Sequence, residues 1–167
     1  MIAPSEWYAI QTLPRHEKSA RKQIERCGIE TLLPLCKQVR QWSDRRKVVH
    51  MPLFPCYLFV RLSEPNRERI RLLRATGVVG FVGNGREALP IPHAQIQYVR
   101  TLEKASVEYD PFPYLQAGQR VRIRDGALQG LEGILIRAPE GRSVVLSVDL
   151  IQKSVAVRIE GYNLELI

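Results

Sequence analysis

Cysteine and histidine are scarce in this chain, and their scarcity closes off whole classes of function. The three cysteines, Cys27, Cys36 and Cys56, form no C-x-x-C pair, and the three histidines, His16, His50 and His93, are scattered. A structural zinc site needs paired close spacings, so no metal is expected and the cysteines read as small buried hydrophobes. No Ser/His/Asp set, paired carboxylates or nucleophilic Cys/His pair stands out, so the expectation is a non-enzyme with no cofactor. The glycine-rich GVVGFVGNG, starting at Gly77, lacks the Lys-Ser/Thr of a phosphate loop and reads as strand and turn. No run approaches the roughly 18 uncharged apolar residues of a membrane span. The first residues, MIAPSEWYAI, lack the basic and apolar regions of a secretion signal, so a cytoplasmic setting is expected.

What the chain has in excess is positive charge. With 45% hydrophobic and 25% charged residues a real core is available. The net charge of +8 points to a polyanionic partner. Its distribution is uneven: residues 1–104 carry 18 Lys and Arg against 9 Asp and Glu, whereas residues 117–167 carry 7 against 6. The polyanion is therefore expected on the first part. The segment between, ASVEYDPFPYLQAG, holds two prolines, two acids and little periodicity, and reads as a linker. The expected organisation is a domain over 1–104, a linker over 105–116 and a second domain over 117–167.

Periodicity fills in the elements. EWYAI is a short strand. Ala20, Ile24 and Cys27 recur at helical spacing after Pro14, and Gly28 stops that helix. ETLLPL is a strand, and KQVRQWSDRRKVVHMP reads as two strands joined at Ser43-Asp44. EPNRERIRLLRATG predicts a helix burying Ile70 and Leu73, VVGFV and ALPI are strands around GNGRE, and Pro92 opens a helix burying Ile96, Val99 and Leu102. Beyond the linker, RVRIR, EGILIRA, SVVLSV, SVAVRI and NLELI alternate or run β-branched between glycines. The fold class expected is α+β: an N-terminal mixed β-sheet with flanking helices, plus a small C-terminal SH3-like five-stranded β-barrel.

The run MPLFPCYLFVRL concentrates seven large apolar side chains, broken by two prolines. Alternation in a strand puts Leu58, Val60 and Leu62 on one face and Tyr57, Phe59 and Arg61 on the other. A face carrying Arg61 is expected to stay open, so the aromatic side reads as a contact patch and the leucine side as core.

GQRVRIRDGALQGLEGILI, from Gly118, reads as a strand, a turn at Asp125-Gly126 and a return through Gly130 and Gly133. That spacing resembles the KOW motif of transcription and ribosomal proteins. Upstream, WYAIQTLPRHEKSARKQIERCGIETLLPL, PLFPCYLFVRL and ATGVVGFVG resemble the three signature blocks of the N-terminal domain of the NusG family, and Pro90-Ile91-Pro92 matches its step into a helix. The basic hairpin RQWSDRRK and the compact length are more similar to specialised paralogues of the RfaH and UpxY types.

The resemblance implies a transcription elongation or antitermination factor. Such a factor binds elongating RNA polymerase at the β′ clamp helices, bridges the cleft to the β gate loop and suppresses pausing or termination. By position, the clamp contact falls on Trp7, Tyr8, Phe54, Pro55, Tyr57, Phe59 and Phe81, and the gate-loop contact on Asn66, Arg67 and Arg69. Cys56 stands where the family usually has glycine. Non-template DNA or nascent RNA would meet Arg15, His16, Lys18, Arg21, Lys22, Trp42, Arg45, Arg46 and Lys47, with Trp42 free to stack on a base. The KOW domain would recruit ribosomal protein NusE or Rho, and the protein would act as a monomer without a membrane. A polymerase-independent RNA-binding KOW module is the alternative, and a plain interaction adaptor a third reading.

Overall fold

The structure is a computed structural model describing residues 3–84, 86–105, 109–115, 117–138 and 141–167. Ser106–Glu108 and Gln116 of the expected linker, and Gly85 of the expected GNGRE turn, lie outside the described residues. The fold class is α+β, with two compact units: Met1–Leu35 with Met51–Ile96, and Cys36–His50 with Gln97–Ile167.

The first unit is built on β1 (Glu6–Thr12), α1 (Glu17–Arg26) and β2 (Glu30–Leu32). The hairpin strands β3 (Leu35–Gln41) and β4 (Arg46–Pro52) intervene before β5 (Tyr57–Leu62), α2 (Pro65–Leu73), β6 (Val78–Phe81) and β7 (Pro90–Ile91). The sheet runs β2-β5-β1-β6, with β7 also paired to β1. The central antiparallel register sets Tyr8 against Val60 and Ile10 against Leu58. These four side chains share a face with Leu62, and Ala20 and Ile24 of α1 and Leu72 and Ala75 complete its core. Burying a side chain such as Ile10, Ile24 or Leu58 removes enough apolar surface to contribute about 1.5–3 kcal/mol each.

Three expectations need correcting. In α2 it is Leu72 that is buried, whereas Ile70 is 64% and Leu73 40% exposed. Both stripes have helical spacing, and the sheet selects the one that carries Leu72 and Ala75. In α1 the buried set is Glu17, Ala20 and Ile24, and Cys27 is exposed beyond the last turn. The face of β5 that holds Arg61 is closed, since Phe59, Ala9 and Trp7 on it are 0%, 0% and 3% exposed. The face opens at its two ends, at Arg61, which lies 3.3 Å from Glu30, and at half-buried Tyr57 beside exposed Gln11.

The second unit contains most of the hairpin, the latter part of α3 (His93–Ala105), and the strands β8 (Tyr109–Phe112), β9 (Arg120–Ile123), β10 (Glu132–Ala138), β11 (Gly141–Val148), β12 (Lys153–Arg158) and β13 (Leu164–Leu166). Their order is β13-β9-β10-β11-β12-β8, antiparallel throughout. Tyr109–Phe112, inside the expected linker, is thus a sixth strand on β12. Pro111 is tolerated because β8 ends the sheet, where no further ladder needs its missing N–H. Leu115 continues the attachment, its N–H donating to Ser154 Oγ at 3.3 Å and its carbonyl accepting from Ser147 Oγ at 3.0 Å.

Gly133 of β10 is required by close approach: a Cβ there would collide with the Val145 carbonyl oxygen and the Val144 side chain of β11. Gly133→Ala is expected to cost about 1–3 kcal/mol of stability, the usual cost of overpacking. Urea denaturation of the full chain measures it, and an unchanged midpoint would contradict this close packing.

Candidate functional site

The segment Phe54–Tyr57 is held in an unusual backbone conformation. Cys56 has φ +68°, the left-handed region that side chains with a Cβ rarely adopt. Two hydrogen bonds fix it there: its N–H donates to Glu17 Oε1 at 2.8 Å, and its carbonyl accepts from the Thr12 N–H at 2.8 Å. Glu17 opens α1 and is 5% exposed, so its carboxylate is aimed inward at this loop. The neighbouring loops close on the same corner. Leu13 N–H donates to the Gly77 carbonyl at 2.7 Å, and Gly77, at φ +86°, lies so close to His16 that a Cβ would collide with its ring. His16 is itself held by Nδ1–H donating to the Pro14 carbonyl at 2.9 Å.

This corner sorts the expected aromatic patch. Register puts Trp7, Tyr57 and Phe59 on one face of the sheet, and Tyr8 and Phe81 on the other. Phe54 packs edge-on against Phe59, with centroids 6.2 Å apart, and Phe81 edge-on against Tyr8 at 6.3 Å. Trp7, Tyr8, Phe54 and Phe59 are all buried. The expectation of an exposed aromatic cluster is therefore corrected: the chain left accessible is Pro55, exposed, with Cys56, Tyr57 and Phe81 half-buried. The buried aromatics are the support beneath that rim.

The expected nucleic-acid residues divide as well. Arg15, Lys18 and Lys22 are exposed at α1, while Arg21 is spent on Glu25 through Nε at 2.9 Å. Hydrogen bonds from Thr31 and from Arg21 hold the Glu25 carboxyl below its ordinary range. Trp42, Arg45, Arg46 and Lys47 lie at the end of the β3–β4 hairpin, in the other compact unit. There the Trp42 N–H donates to the Arg45 carbonyl at 2.8 Å across Ser43-Asp44, and every residue from Val39 to Val48 is exposed, Trp42 at 56%. At its base the hairpin is anchored instead. Cys36 is buried, and Gln38 Nε2 donates to the Tyr109 hydroxyl at 3.5 Å. Burial raises both the Cys36 thiol and the Tyr109 phenol above their ordinary values, as expected of groups that stay neutral. Asn66, Arg67 and Arg69 are exposed on α2, Arg67 pairing with Glu64 at 3.3 Å.

Sequence reasoning missed a cleft of 190 Å³ between the C-terminal ends of α1 and α2. Its floor is Ile24, Ile29, Leu72 and Ala75, and Arg26, Arg71 and Arg74 stand at its walls with Gln23 and Cys27. Arg71 leans on Glu68 at 3.3 Å, but Arg26 and Arg74 have no side-chain partner among the described residues. Three guanidinium groups around an apolar floor suit phosphates attached to a flat apolar ring. The α1 and α2 arginines are 45 or more positions apart in the chain (Arg26 to Arg71), so no local motif announces the cleft. The available hint is that an Arg stands at or just past the end of each of these two helices, shortly before a glycine.

In the second unit the residues of the KOW pattern serve the fold. Gly118, Gly126 and Gly130 have positive φ. Asp125 accepts from the Asn163 N–H at 3.2 Å and from the Asn163 amide group, tying the exit of β9 to the turn before β13. Glu132 binds Arg122 Nη2 at 2.6 Å across β9 and β10, and Glu165 of β13 extends the ladder to 3.8 Å.

A family model described as "Transcription termination factor nusG" matches residues 5–100. The chain is 26% identical over 181 residues to the transcription termination/antitermination protein NusG of Thermus thermophilus, covering 93% of this chain and 95% of that one. It is 27% identical over 173 residues to the namesake from Vibrio cholerae, at 95% and 94% coverage. Among solved structures it is similar to one titled "Domain interaction in Thermotoga maritima NusG", with TM-score 0.54, 18% identity and 93% of each chain covered.

Relieving the strained position tests the corner. Cys56→Gly removes the left-handed penalty of about 1–2 kcal/mol, partly offset by the greater freedom of glycine in the unfolded chain, about 0.5–1 kcal/mol. The thermal midpoint is expected to rise for Cys56→Gly and to stay level for Cys56→Ala, which keeps the Cβ. A fall with glycine would show that the side chain of Cys56, and not its backbone, holds the loop.

Proposed function

Because the chain belongs to the NusG family of transcription termination and antitermination factors, we propose that it acts by binding elongating RNA polymerase and the nucleic acid that the enzyme has opened. The polymerase contact is the rim Pro55-Cys56-Tyr57, with Phe81 contributing from the other side of the sheet, and it meets the β′ clamp helices. The observation that carries this is the fixed left-handed loop at Cys56, which costs stability and presents a proline and a tyrosine on a rigid buried base. Trp7, Tyr8, Phe54 and Phe59 act by holding that rim in place. Asn66, Arg67 and Arg69, exposed on α2, face the β gate loop in this reading, and spanning both sites suppresses pausing or termination.

One nucleic-acid contact is the α1–α2 cleft with Arg15, Lys18 and Lys22 of the first unit; the hairpin end of the other unit, with Trp42, Arg45, Arg46 and Lys47, is a separate one. Support comes from the charge excess of the first 104 residues and from the unpaired Arg26 and Arg74 beside an apolar floor. The exposed basic hairpin favours a specialised member of the family. The six-stranded C-terminal sheet is the recruiting module, for NusE or Rho.

Tyr57→Asp is expected to weaken capture of core RNA polymerase at least about tenfold, the loss of one interface anchor, while leaving the thermal midpoint near the parent's. Phe59→Asp instead unfolds the domain. Full capture by folded Tyr57→Asp would remove the rim from the interface. Separately, Arg26→Ala and Arg74→Ala are each expected to lower affinity for single-stranded oligonucleotides, with the salt slope shallower by about 0.7 per lost phosphate contact. A slope identical to the parent's would take the cleft out of the nucleic-acid surface.

A further inference from the structure

We propose that the β3–β4 hairpin is a two-stranded ribbon that lies in the major groove of double-stranded DNA, with Val39 and Val48 against thymine methyl groups; this rests on the nucleic-acid reading of the hairpin given above. The two strands sort their side chains into unlike faces. The Trp42 N–H donates to the Arg45 carbonyl, which closes the turn at Ser43-Asp44. Counting outward from that pair along β3 and β4 sets Gln41 against Arg46, Val39 against Val48 and Lys37 against His50. Alternation places these side chains on one face, and all of them are exposed, Val39 at 67% and Val48 at 54%. The opposite face is open only towards the turn, at Arg40, Trp42, Arg45 and Lys47. Nearer the base it closes, with Cys36 buried and Gln38 and Val49 half-buried. Only the valine face is free along its whole length.

Charge selects the class of partner. Between Cys36 and His50 the hairpin carries Lys37, Arg40, Arg45, Arg46 and Lys47 against the single acid Asp44. None of these five cations is paired with an acid among the described residues. Arg21, Arg67 and Arg71 on the helices, by contrast, each stand beside a glutamate. Five uncompensated cations call for a polyanion, and shape decides which one. Two strands about 4.8 Å apart enter the B-form major groove, about 12 Å wide, with one face on the base edges and phosphates along either side. The deep, narrow groove of an RNA helix does not admit them, and a single strand has no groove at all. The chemistry of the open face fits the same groove. Lys37, Gln41 and Arg46 can donate to the purine N7 and O6 acceptors. Val39 and Val48, a facing pair outside the core, match the one apolar group displayed there, the thymine C5 methyl. Arg40, Arg45 and Lys47 on the other face are left for the phosphates at the groove edges.

Fluorescence anisotropy of the full chain at low salt tests this with labelled alternating dA-dT duplex closed by a loop, the same duplex with dU for every dT, the matching RNA duplex of A and U, and single-stranded oligo(dT). Replacing dT by dU removes the methyl group and nothing else. The dA-dT duplex is expected to bind at least about fourfold tighter than the dA-dU duplex, the effect of one buried methyl group, and tighter than the RNA duplex. Val39→Ser combined with Val48→Ser changes only exposed side chains, so the thermal midpoint is expected to hold while the preference for dT over dU vanishes. Arg46→Ala is expected to weaken binding of both DNA duplexes. Equal binding of the dT and dU duplexes by the parent would overturn the major-groove placement, and so would tighter binding of the RNA duplex. A dT preference that persists in the folded double variant would put the contact elsewhere and overturn the assignment. Binding of oligo(dT) without binding of any duplex would overturn the proposal and leave the nucleic-acid reading standing. Absence of binding to every probe would sink that reading itself.

Discussion

The first unit turns on one buried hydrogen bond, from the Cys56 N–H to the Glu17 carboxylate. A carboxylate with so little exposure is costly to bury unless its charge is answered, and a backbone N–H beside the first turn of its own helix answers it. The bond also determines geometry. It holds Cys56 in the left-handed region, and that reversal lets the chain leave Phe54 packed on Phe59 and still enter β5 in register with β1. Thr12 closes β1, Leu13 and His16 come from the turn after it, and Gly77 from the turn before β6, so three loops are fixed by a handful of bonds near one carboxylate. Glycine at position 56 would adopt this conformation at no steric cost. Cysteine adopts it because Glu17 and Thr12 hold both ends of its peptide groups.

The alternation of MPLFPCYLFVRL was legible in the sequence, as were the α+β class, the helix stop at Gly28 and the C-terminal strands, since each follows from a local period or a turn residue. What the period could not decide was which of two equivalent stripes faces the core. In α2, Ile70 with Leu73 and Leu72 with Ala75 have the same spacing, and only the sheet beneath distinguishes them. In β5 the presence of Arg61 suggested an open face, but an arginine at the end of a strand says nothing about a phenylalanine two residues earlier, 0% exposed. Tyr109–Phe112 was hidden by its proline, Pro111, a poor strand former in general and acceptable at a sheet's edge.

The charge excess was legible in amount and in its confinement to the first 104 residues, but not in its grouping. Arg21, Arg67 and Arg71 are close to Glu25, Glu64 and Glu68 respectively, so each is partly neutralised by its own helix. Arg26 and Arg74 escape that fate because each stands at a helix end with no acid one turn away on the same face. Cations there also complement the helix dipole, which accounts for two arginines at helix ends but not for an apolar floor between them. The floor exists because Ile24 and Leu72 are core residues of α1 and α2, and the cleft is lined by the C-terminal ends of the two helices.

Both proposed contacts are therefore made by one short rod. Glu17, in the first turn of α1, fixes the loop of the proposed polymerase rim, and Arg26, in the last, walls the cleft proposed for nucleic acid. Nine residue steps at about 1.5 Å each separate the two by about 14 Å along the axis. Ala20 and Ile24 lock the rod to the sheet, and Gln23 binds it to Thr76, one residue from the Gly77 that closes the Glu17 corner. Neither site can shift along the helix axis without dragging the other. In the proposed reading, whatever the cleft holds therefore keeps a fixed spacing from whatever the rim grips.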